Sequence, residues 1–407
     1  MPGRSARAKL APGAALTVLL GALIAIAPLA MDIYLASMPS MTMALHASAE
    51  QVQLTLSVYV YAWGLAQLVA GPLSDRVGRR PALLCGLFLF VVASLACAAA
   101  RDVETLIGAR AVQAVAVATV AVVPRAVVRD LHGGTQAAHM LSLMGMVLGI
   151  APILAPIVGS HLHVWFGWQA NFLLVAAYGA VLLVGVAFAL PETVRVRNPR
   201  ALAPRVIAGN YRRLLASRVF VGYLLVAAFT SAGLFAFLAG SAFVFEDVMG
   251  QGERGFGWLF GAVMLGNLTG ATFGARVVRG WGIDRTIGRA LGLLVAGALV
   301  LLALAWLDVR HPAAVVAPMF VYMAAFMMTM PQSTAGALTP FPAIAGAASS
   351  LLAFVQFGVA ASGALVVGLT FDGTVRPMAT TIAVAAVLAA LAFRGLVVPG
   401  RRAVSVT

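Results

Sequence analysis

Long apolar runs recur along the whole chain and are separated by short polar breaks that are rich in Gly and Arg. Each run reaches the roughly 20 apolar residues that an α-helix needs to cross the hydrocarbon core of a bilayer. The pattern therefore predicts an all-α membrane protein of twelve spanning helices, spans 1 to 12, near residues 12–36, 51–72, 82–100, 105–128, 137–160, 169–190, 219–245, 257–278, 288–307, 313–334, 347–370 and 377–398.

The composition supports a surface that faces lipid. Of the 407 residues, 62% are hydrophobic and only 10% are charged, too few to cover a soluble protein of this length with polar groups. The net charge of +14 comes from arginines that lie mostly in the breaks between spans and form no basic stripe on a soluble domain. We therefore expect the lipid bilayer, and not nucleic acid, to contact the chain.

The basic residues also predict the orientation. With both ends on the cytoplasmic side, the tails, the cytoplasmic loops and the span ends beside them hold 22 Lys and Arg residues, the opposite loops hold four, and Arg110 lies deeper within a span. The positive-inside rule therefore places both termini in the cytoplasm and the chain in the inner membrane. The apolar stretch after Lys9 extends beyond Leu29, too far for a signal peptide, so span 1 is expected to be retained.

The segment 191–218 is the longest polar stretch and separates two groups of six spans. We predict a cytoplasmic tail at 1–11, an N-terminal lobe at 12–190, a cytoplasmic linker at 191–218, a C-terminal lobe at 219–398 and a tail at 399–407. The breaks at 71–81 and 274–285 hold corresponding positions in the two halves, and both combine Gly and Arg with an acid. This weak repeat is typical of a two-lobed transporter with a central cavity.

The apolar runs contain one acid, Asp32 in span 1, and one clearly embedded base, Arg110 in span 4. The helical rise places both in the outer half of the bilayer, at depths that allow contact across a central cavity. An ionisable group at such depth is costly and indicates a function. Burial favours a neutral carboxyl and a nearby guanidinium favours the carboxylate, so Asp32 is a candidate for proton coupling with Arg110. A fixed structural pair, or an Asp32 that merely lies in the interface, is the alternative.

The break between spans 2 and 3, residues 71–80, is the most specific motif. Gly71 allows the helix end to approach a neighbour, Asp75 is placed to cap the next helix, and the arginines are placed to lock neighbouring helix ends. The predicted gating and structural residues here are Gly71, Asp75, Arg76, Gly78, Arg79 and Arg80, with Arg129 and Asp130 of span 4 as partners. Simple anchoring by positive charge is the alternative, although it would not require the Gly and Asp positions.

Span 5 carries a second set of candidate gating residues, Gly145, Gly149, Pro152, Pro156 and Gly159. Glycines at a spacing of four permit close helix approach, and each proline removes a backbone hydrogen bond and bends the helix. Such a helix suits a hinge or a seal between lobes. Ordinary helix packing is the alternative.

Polar and aromatic residues with no evident role in a loop are candidates to contact a small molecule in the cavity. They are Tyr34, Tyr59, Trp63, Gln67, Gln113, Phe235, Phe243, Gln332 and Gln356. Tyr59, Trp63 and Gln67 recur every four residues and share one helix face, although helix packing is the alternative for each. The chain has no Gly-Lys-Ser/Thr nucleotide loop, no zinc-type pattern and no catalytic Ser or Cys arrangement. We therefore expect no cofactor, no metal and no enzyme activity.

These motifs resemble those of a known family. Residues 71–80 are similar to the loop signature between spans 2 and 3 of the major facilitator superfamily, and Arg110-Ala-Val-Gln113 resembles its span-4 signature. The Gly/Pro run of span 5 resembles the signature of its drug/proton antiporters. Similarity to the Bcr/CflA branch, which includes bicyclomycin, chloramphenicol and florfenicol exporters, is carried by Leu29–Pro39, Gln53–Tyr59, Gly167–Phe172 and Leu190–Thr193.

The resemblance implies the twelve-helix facilitator fold and proton-driven export of small lipophilic drugs by alternating access. It also implies that Asp32 is the protonation site, that Arg110 couples to it, and that the 71–80 loop gates the cytoplasmic side. With a single embedded acid, we expect about one proton per cycle, and we expect a functional monomer. The alternatives are export of an endogenous metabolite or a self-made antibiotic, and, in another class, a non-transporting membrane sensor.

Overall fold

The computed structural model describes residues 14–131, 134–194 and 204–400, and this part of the chain is helical without strands. The predicted N-terminal tail, residues 401–407 of the C-terminal tail and linker residues 195–203 lie outside the described residues. Within the described ranges, the helices follow the predicted spans closely.

In the N-terminal lobe, span 1 is the helix Ala14–Asp32, which leads through the 3-10 turn Leu35–Ser37 into a short extension, Met38–Ala44. Spans 2 to 6 are the helices Ala49–Val77, Arg79–Ala99, Val103–Leu131, Gly134–Phe166 and Gln169–Ala189. The linker contains a helix that the sequence analysis did not predict, Pro204–Leu215.

In the C-terminal lobe, spans 8 and 9 share one helical segment. Spans 7 and 12 each end in a single π-helical turn, Val244–Val248 after span 7 and Phe393–Val397 after span 12. Spans 7, 10, 11 and 12 are the helices Arg218–Phe243, Ala313–Leu338, Ala345–Thr370 and Arg376–Ala392. The shared segment is Gly252–Trp306.

The shared segment accounts for the difference between eleven apolar helices and twelve spans. Its 55 residues correspond to a length of about 82 Å, more than twice the roughly 30 Å hydrocarbon core. Gly282, with φ 76° and ψ 171°, breaks the helix inside the predicted turn between spans 8 and 9. The eleven candidate helices of the described chain therefore make twelve crossings, as predicted.

The two lobes meet along two pairs of spans, span 2 with span 11 and span 5 with span 8. The hydroxyl groups of Tyr61 and Ser362 are hydrogen-bonded at 2.6 Å, and the Trp63 ring stacks on Phe357 with centroids 4.2 Å apart. We call the end of the bundle that carries the loops near residues 45–48, 100–102, 167–168, 249–251, 307–312 and 371–375 the predicted outer face. Trp63 lies about 21 Å along span 2 from that face, so these two contacts join the lobes near mid-depth.

Span 5 approaches span 1 closely at only one of its three predicted glycines. A Cβ atom added at Gly159 would overlap the carbonyl oxygen of Ile33, whereas one added at Gly145 or Gly149 would meet no atom within 4 Å. The expected close approach at the spacing-four pair is therefore absent in this conformation. Gly159 instead lets the outer part of span 5 touch the backbone where span 1 breaks.

Replacing Gly159 by Ala is expected to lower the free energy of unfolding by about 1–3 kcal/mol, because the added methyl group forces spans 1 and 5 apart. Gly145→Ala is the matched control on the same helix, and it should be neutral or slightly stabilising because the site is open. Chemical unfolding of the purified chains in detergent measures both. Equal losses in the two variants would contradict the assignment of Gly159 as the contact glycine.

Candidate functional site

Arg110 is fully buried in span 4 and is surrounded by the N-terminal lobe. Its Nη1 atom donates to the carbonyl oxygen of Ala30 at 2.9 Å and to Oε1 of Gln113 at 2.6 Å. The guanidinium carbon lies 4.4 Å from the ring centroid of Tyr34 and 4.0 Å from that of Tyr59. These hydrogen bonds and cation–π contacts, with a third ring, that of Phe172, at 5.8 Å, offset part of the cost of removing this charge from water.

The partner carbonyl of Arg110 is free because of where span 1 ends. The helix stops at Asp32, so the carbonyl groups of its last turn, including that of Ala30, lack helical partners. A cation is also favoured at a helix C-terminus because the helix dipole places partial negative charge there. The break in span 1 thus provides both the carbonyl acceptor of Ala30 and a favourable helix C-terminus for the Arg110 guanidinium.

Asp32 is the last residue of that helix and is 2% exposed. Its Oδ1 atom is buried without a hydrogen-bond partner, and the carboxyl interacts electrostatically with Arg110. Among the ion pairs of the described residues, however, none within 4.0 Å joins the two side chains. The predicted direct contact across a cavity is therefore not formed, because Arg110 is held by Ala30 and Gln113 inside the same lobe.

Two residues predicted to line the cavity, Gln113 and Tyr34, contact Arg110 in this conformation. The Gln113 amide donates from Nε2 to the Ser94 hydroxyl at 2.8 Å, which turns its Oε1 atom toward Arg110. The Tyr34 hydroxyl is hydrogen-bonded to that of Thr55 at 3.1 Å. Both side chains are buried and their polar groups have partners, so they position the buried charge and do not present polar groups to a ligand.

Aromatic rings connect the Arg110 pocket to the C-terminal lobe. Tyr59 and Trp63 have ring centroids 6.4 Å apart, and the row continues from Trp63 to Phe357 at 4.2 Å and from Phe357 to Phe235 at 6.3 Å. The Tyr59 hydroxyl and the Trp63 indole nitrogen are buried without hydrogen-bond partners. The structure thus joins three predicted cavity residues in one aromatic row, which crosses the interface between the lobes.

Phe357 was missed by the sequence analysis. The available signal was its place one residue after Gln356, in a span composed mainly of small and aliphatic residues. Gln356 itself donates to the Ser231 hydroxyl of span 7 at 3.0 Å, and Ser231 contacts Met330 of the Met-rich span 10 at 3.8 Å.

The remaining predicted cavity residues are more dispersed. Gln67 and Gln332 are half-buried, and no hydrogen bond of the described chain involves them. Phe243 packs on Phe371 near the outer end of span 7, with ring centroids 5.4 Å apart. It lies eight residues, or about 12 Å, along the helix from Phe235 and is separate from the aromatic row.

In the 71–80 loop, the span-2 helix extends to Val77 and Gly78, with φ 112°, makes the turn into span 3. Asp75 therefore lies within a helix, paired with Arg79 at 2.5 Å, and does not cap span 3 as predicted. The backbone N–H groups of Arg79 and Arg80 donate instead to the Glu192 carboxylate at 3.0 and 3.3 Å. Glu192 was missed as a cap, although it is the acid of the Leu190–Thr193 motif.

The same loop joins several helix ends. The Arg79 side chain reaches the predicted partner Asp130 at 3.1 Å, and the Thr193 hydroxyl donates to Asp130 at 3.0 Å. Arg80 donates to the carbonyl oxygen of Ala187 at 2.6 Å. The ends of spans 2, 3, 4 and 6 are thus held together, while the other two predicted arginines are exposed, Arg76 and Arg129.

Comparison with known proteins agrees with this architecture. The family model described as Major Facilitator Superfamily matches residues 20–365, which is most of the chain. The chain belongs to the major facilitator superfamily.

Three superfamily relatives are similar over nearly the whole chain. The bicyclomycin resistance protein homolog of Haemophilus influenzae is 30% identical and aligns over 92% of this chain and 94% of its own length. The chloramphenicol resistance protein of Pseudomonas aeruginosa is 31% identical, with 90% and 86% covered. Multidrug resistance protein D of Escherichia coli is 30% identical, with 92% and 94% covered.

Solved superfamily structures share the fold. The partially occluded inward-open xylose transporter of E. coli superimposes with a TM-score of 0.74 at 15% identity, over 93% of this chain and 96% of its own. A nucleoside transporter gives 0.76 at 14% identity, with 94% and 99% covered. The predicted family and the two-lobed facilitator fold are both confirmed.

Proposed function

We propose that this chain is a drug/proton antiporter of the inner membrane that exports small lipophilic compounds, such as phenicol-type antibiotics, by alternating access. It uses the proton gradient and no cofactor, and it acts as a monomer with both termini in the cytoplasm. The names of its relatives, which refer to resistance to bicyclomycin, to chloramphenicol and to several drugs, support an exporter.

The observation that carries the proton coupling is the buried carboxyl of Asp32. Its unpartnered Oδ1 atom lies in a pocket that also holds the fully buried Arg110. A carboxyl in such a place responds strongly to the arrival of water, because hydration stabilises the charged form. Alternate opening of the two sides of the bundle therefore ties the charge of Asp32 to the direction of access.

The cycle follows from this response. Substrate enters from the cytoplasm or the inner leaflet while Asp32 is deprotonated, and the lobes rock so that the outer side opens. A proton from outside then neutralises Asp32 and the substrate leaves. The aromatic row of Tyr59, Trp63, Phe357 and Phe235 offers flat apolar surface and two unpartnered polar groups, which suits lipophilic molecules with an aromatic ring.

The function is tested by expressing the chain in an efflux-deficient bacterial host and measuring growth inhibition by a panel of small antibiotics. We expect raised resistance to at least one lipophilic compound, and loss of that resistance when a proton uncoupler is added. Resistance that survives the uncoupler would contradict proton-driven export. No resistance to any compound, from a chain shown to reach the membrane, would contradict drug export.

Trp63→Ala is expected to weaken binding of an exported aromatic drug about 5- to 20-fold, because the stacking surface next to Phe357 is lost. Trp63→Phe keeps an aromatic ring and should retain most of the affinity. Drug titration of the purified chains measures the change.

The control for that change is Trp258→Ala, which removes the same side chain from a position that is 63% exposed. It should leave drug affinity unchanged. An equal loss of affinity in both variants would show that the aromatic row does not contact the drug.

A further inference from the structure

One ionisable contact joins the two lobes at the predicted outer face. The Nε2 atom of His163, in span 5, lies 2.7 Å from Oε1 of Glu253, in span 8. The two side chains are only 9% and 27% exposed. Because spans 5 and 8 belong to different lobes, this pair spans the seam that must separate when the outer side opens.

A third element fixes the histidine. The Ser40 hydroxyl, in the extension of span 1, lies 2.9 Å from the same Nε2 atom and donates its own hydrogen to the Ser37 carbonyl oxygen at 2.9 Å. Nε2 must therefore carry a proton and donate toward both Ser40 and Glu253. The other ring nitrogen, Nδ1, is buried without a partner. Binding of a proton at Nδ1 makes the imidazole a cation, so its hydrogen bond to the Glu253 carboxylate becomes an ion pair.

Other titratable groups lie near the pair on both lobes. Glu246, at the outer end of span 7, interacts electrostatically with both Glu253 and Asp247, and its Oε1 atom is buried without a hydrogen-bond partner. Arg254 follows Glu253 in the chain and is exposed. On span 5 itself, the His161 ring bonds through Nδ1 to the carbonyl oxygen of its own helix at Ile157, 2.8 Å away.

The packing beside the pair makes it part of a gate. A Cβ atom added at Gly257 would press against the Ser160 hydroxyl, and one at Gly261 would lie 3.2 Å from the Ile157 side chain. His163 and Glu253 lie one turn further toward the outer face on the same two helices. Opening of this seam therefore exposes both groups to water and breaks the contact.

We propose that His163 and Glu253 form a second proton-binding site of the transport cycle, which holds the outer gate closed while His163 is protonated. The inference rests on the proposed alternating access but not on Asp32 or on any drug. Only the closed state places His163 against Glu253, so an imidazolium there gains an ion pair that the open state does not offer. By linkage, acid conditions favour the closed gate and its population falls as the pH rises through the range in which histidine changes charge, about 5 to 8. In the cell, acid outside would thus promote the return to the inward-facing state after drug release.

The test measures gate opening directly by pulsed electron resonance distances. Spin labels at Met43→Cys, on the span 1 extension, and Thr370→Cys, at the outer end of span 11, report the separation of the lobes; both positions are exposed. Cys85 and Cys97 are replaced by Ser, and Asp32→Asn is present throughout so that the carboxyl of the proposed coupling site does not contribute. The chain is reconstituted in lipid nanodiscs at pH 5.5 and pH 8, within about the range in which histidine titrates.

We expect the ratio of open to closed distances to rise about three- to tenfold from the lower to the higher pH. His163→Gln and Glu253→Gln should each remove this response, whereas His161→Gln, at the matched histidine whose ring is hydrogen-bonded within its own helix, should keep it. A response that survives His163→Gln, or its absence from the parent chain, overturns the proposal. Because Asp32 is neutralised throughout, neither result depends on whether drug export is driven by that residue.

Discussion

Asp32→Asn is expected to abolish drug export driven by a pH gradient, with a loss of about a hundredfold in the gradient-driven rate. The amide has nearly the shape of the carboxyl but takes up no proton in this range, so drug movement loses its link to proton movement. The chain should still insert, since the substitution removes a charge from a buried position that is 2% exposed. Uptake of a drug into inside-out vesicles, with an imposed pH gradient, measures the effect.

The sign of the pH dependence gives a second measurement on the same variants. If proton and drug alternate at one site, then drug binding by the parent chain weakens as the pH falls, because protonated Asp32 releases the drug. Asp32→Asn should bind drug with little dependence on pH. Asp32→Glu retains a carboxyl and should keep part of the gradient-driven transport.

The control is Asp308→Asn, which alters an exposed acid paired with Arg310 in an outer loop. Full gradient-driven export by Asp32→Asn would reject the coupling role.

The spans could be predicted from sequence because lipid leaves the backbone few choices. A chain that crosses the hydrocarbon core must satisfy its own N–H and C=O groups, so an apolar run of sufficient length becomes a helix whatever its neighbours. The linker helix Pro204–Leu215 escaped prediction for the same reason, because it is short and rich in Arg, and a hydropathy window detects only uniformly apolar helices.

The sequence identified the residues of the Asp32–Arg110 site but not the contacts that they make. The cost of burying charge marks Asp32 and Arg110 in the sequence, yet the carbonyl that binds Arg110 becomes free only because span 1 breaks at Asp32. Ligand-contacting and charge-positioning side chains have the same sequence signal, a polar or aromatic residue in an apolar span. Gln113 and Tyr34 were therefore assigned to the cavity, although they hold and flank Arg110.

The cap of span 3 shows a different limit. Asp75 has suitable chemistry and a suitable place in the sequence, but the preceding helix continues beyond it to the turn at Gly78. The carboxylate that caps span 3 comes from Glu192, 113 residues from Arg79. Such a partner depends on how spans 3 and 6 pack together, which local sequence does not specify.

Arg110→Gln is expected to lower the free energy of unfolding by about 3–5 kcal/mol and to eliminate export, because it leaves the Asp32 carboxyl buried without its cation. The rings of Tyr34 and Tyr59 also lose the charge they enclose. Arg110→Lys keeps the charge but not the planar group that fits between two rings while it donates to Ala30 and Gln113, so it should lose less stability than Arg110→Gln.

A double-mutant cycle separates the electrostatic effect from lost packing. In the Arg110→Gln background, Asp32→Asn should recover about 1–3 kcal/mol, because the uncompensated carboxyl is removed, while export stays absent. Chemical unfolding in detergent gives the four free energies of the cycle. If the two substitutions are simply additive, the buried charges do not interact energetically despite their shared pocket. A substantial coupling energy without direct contact would show that Asp32 responds to Arg110 through the low-dielectric interior of the lobe. That response is what allows water entering from either side to change its charge.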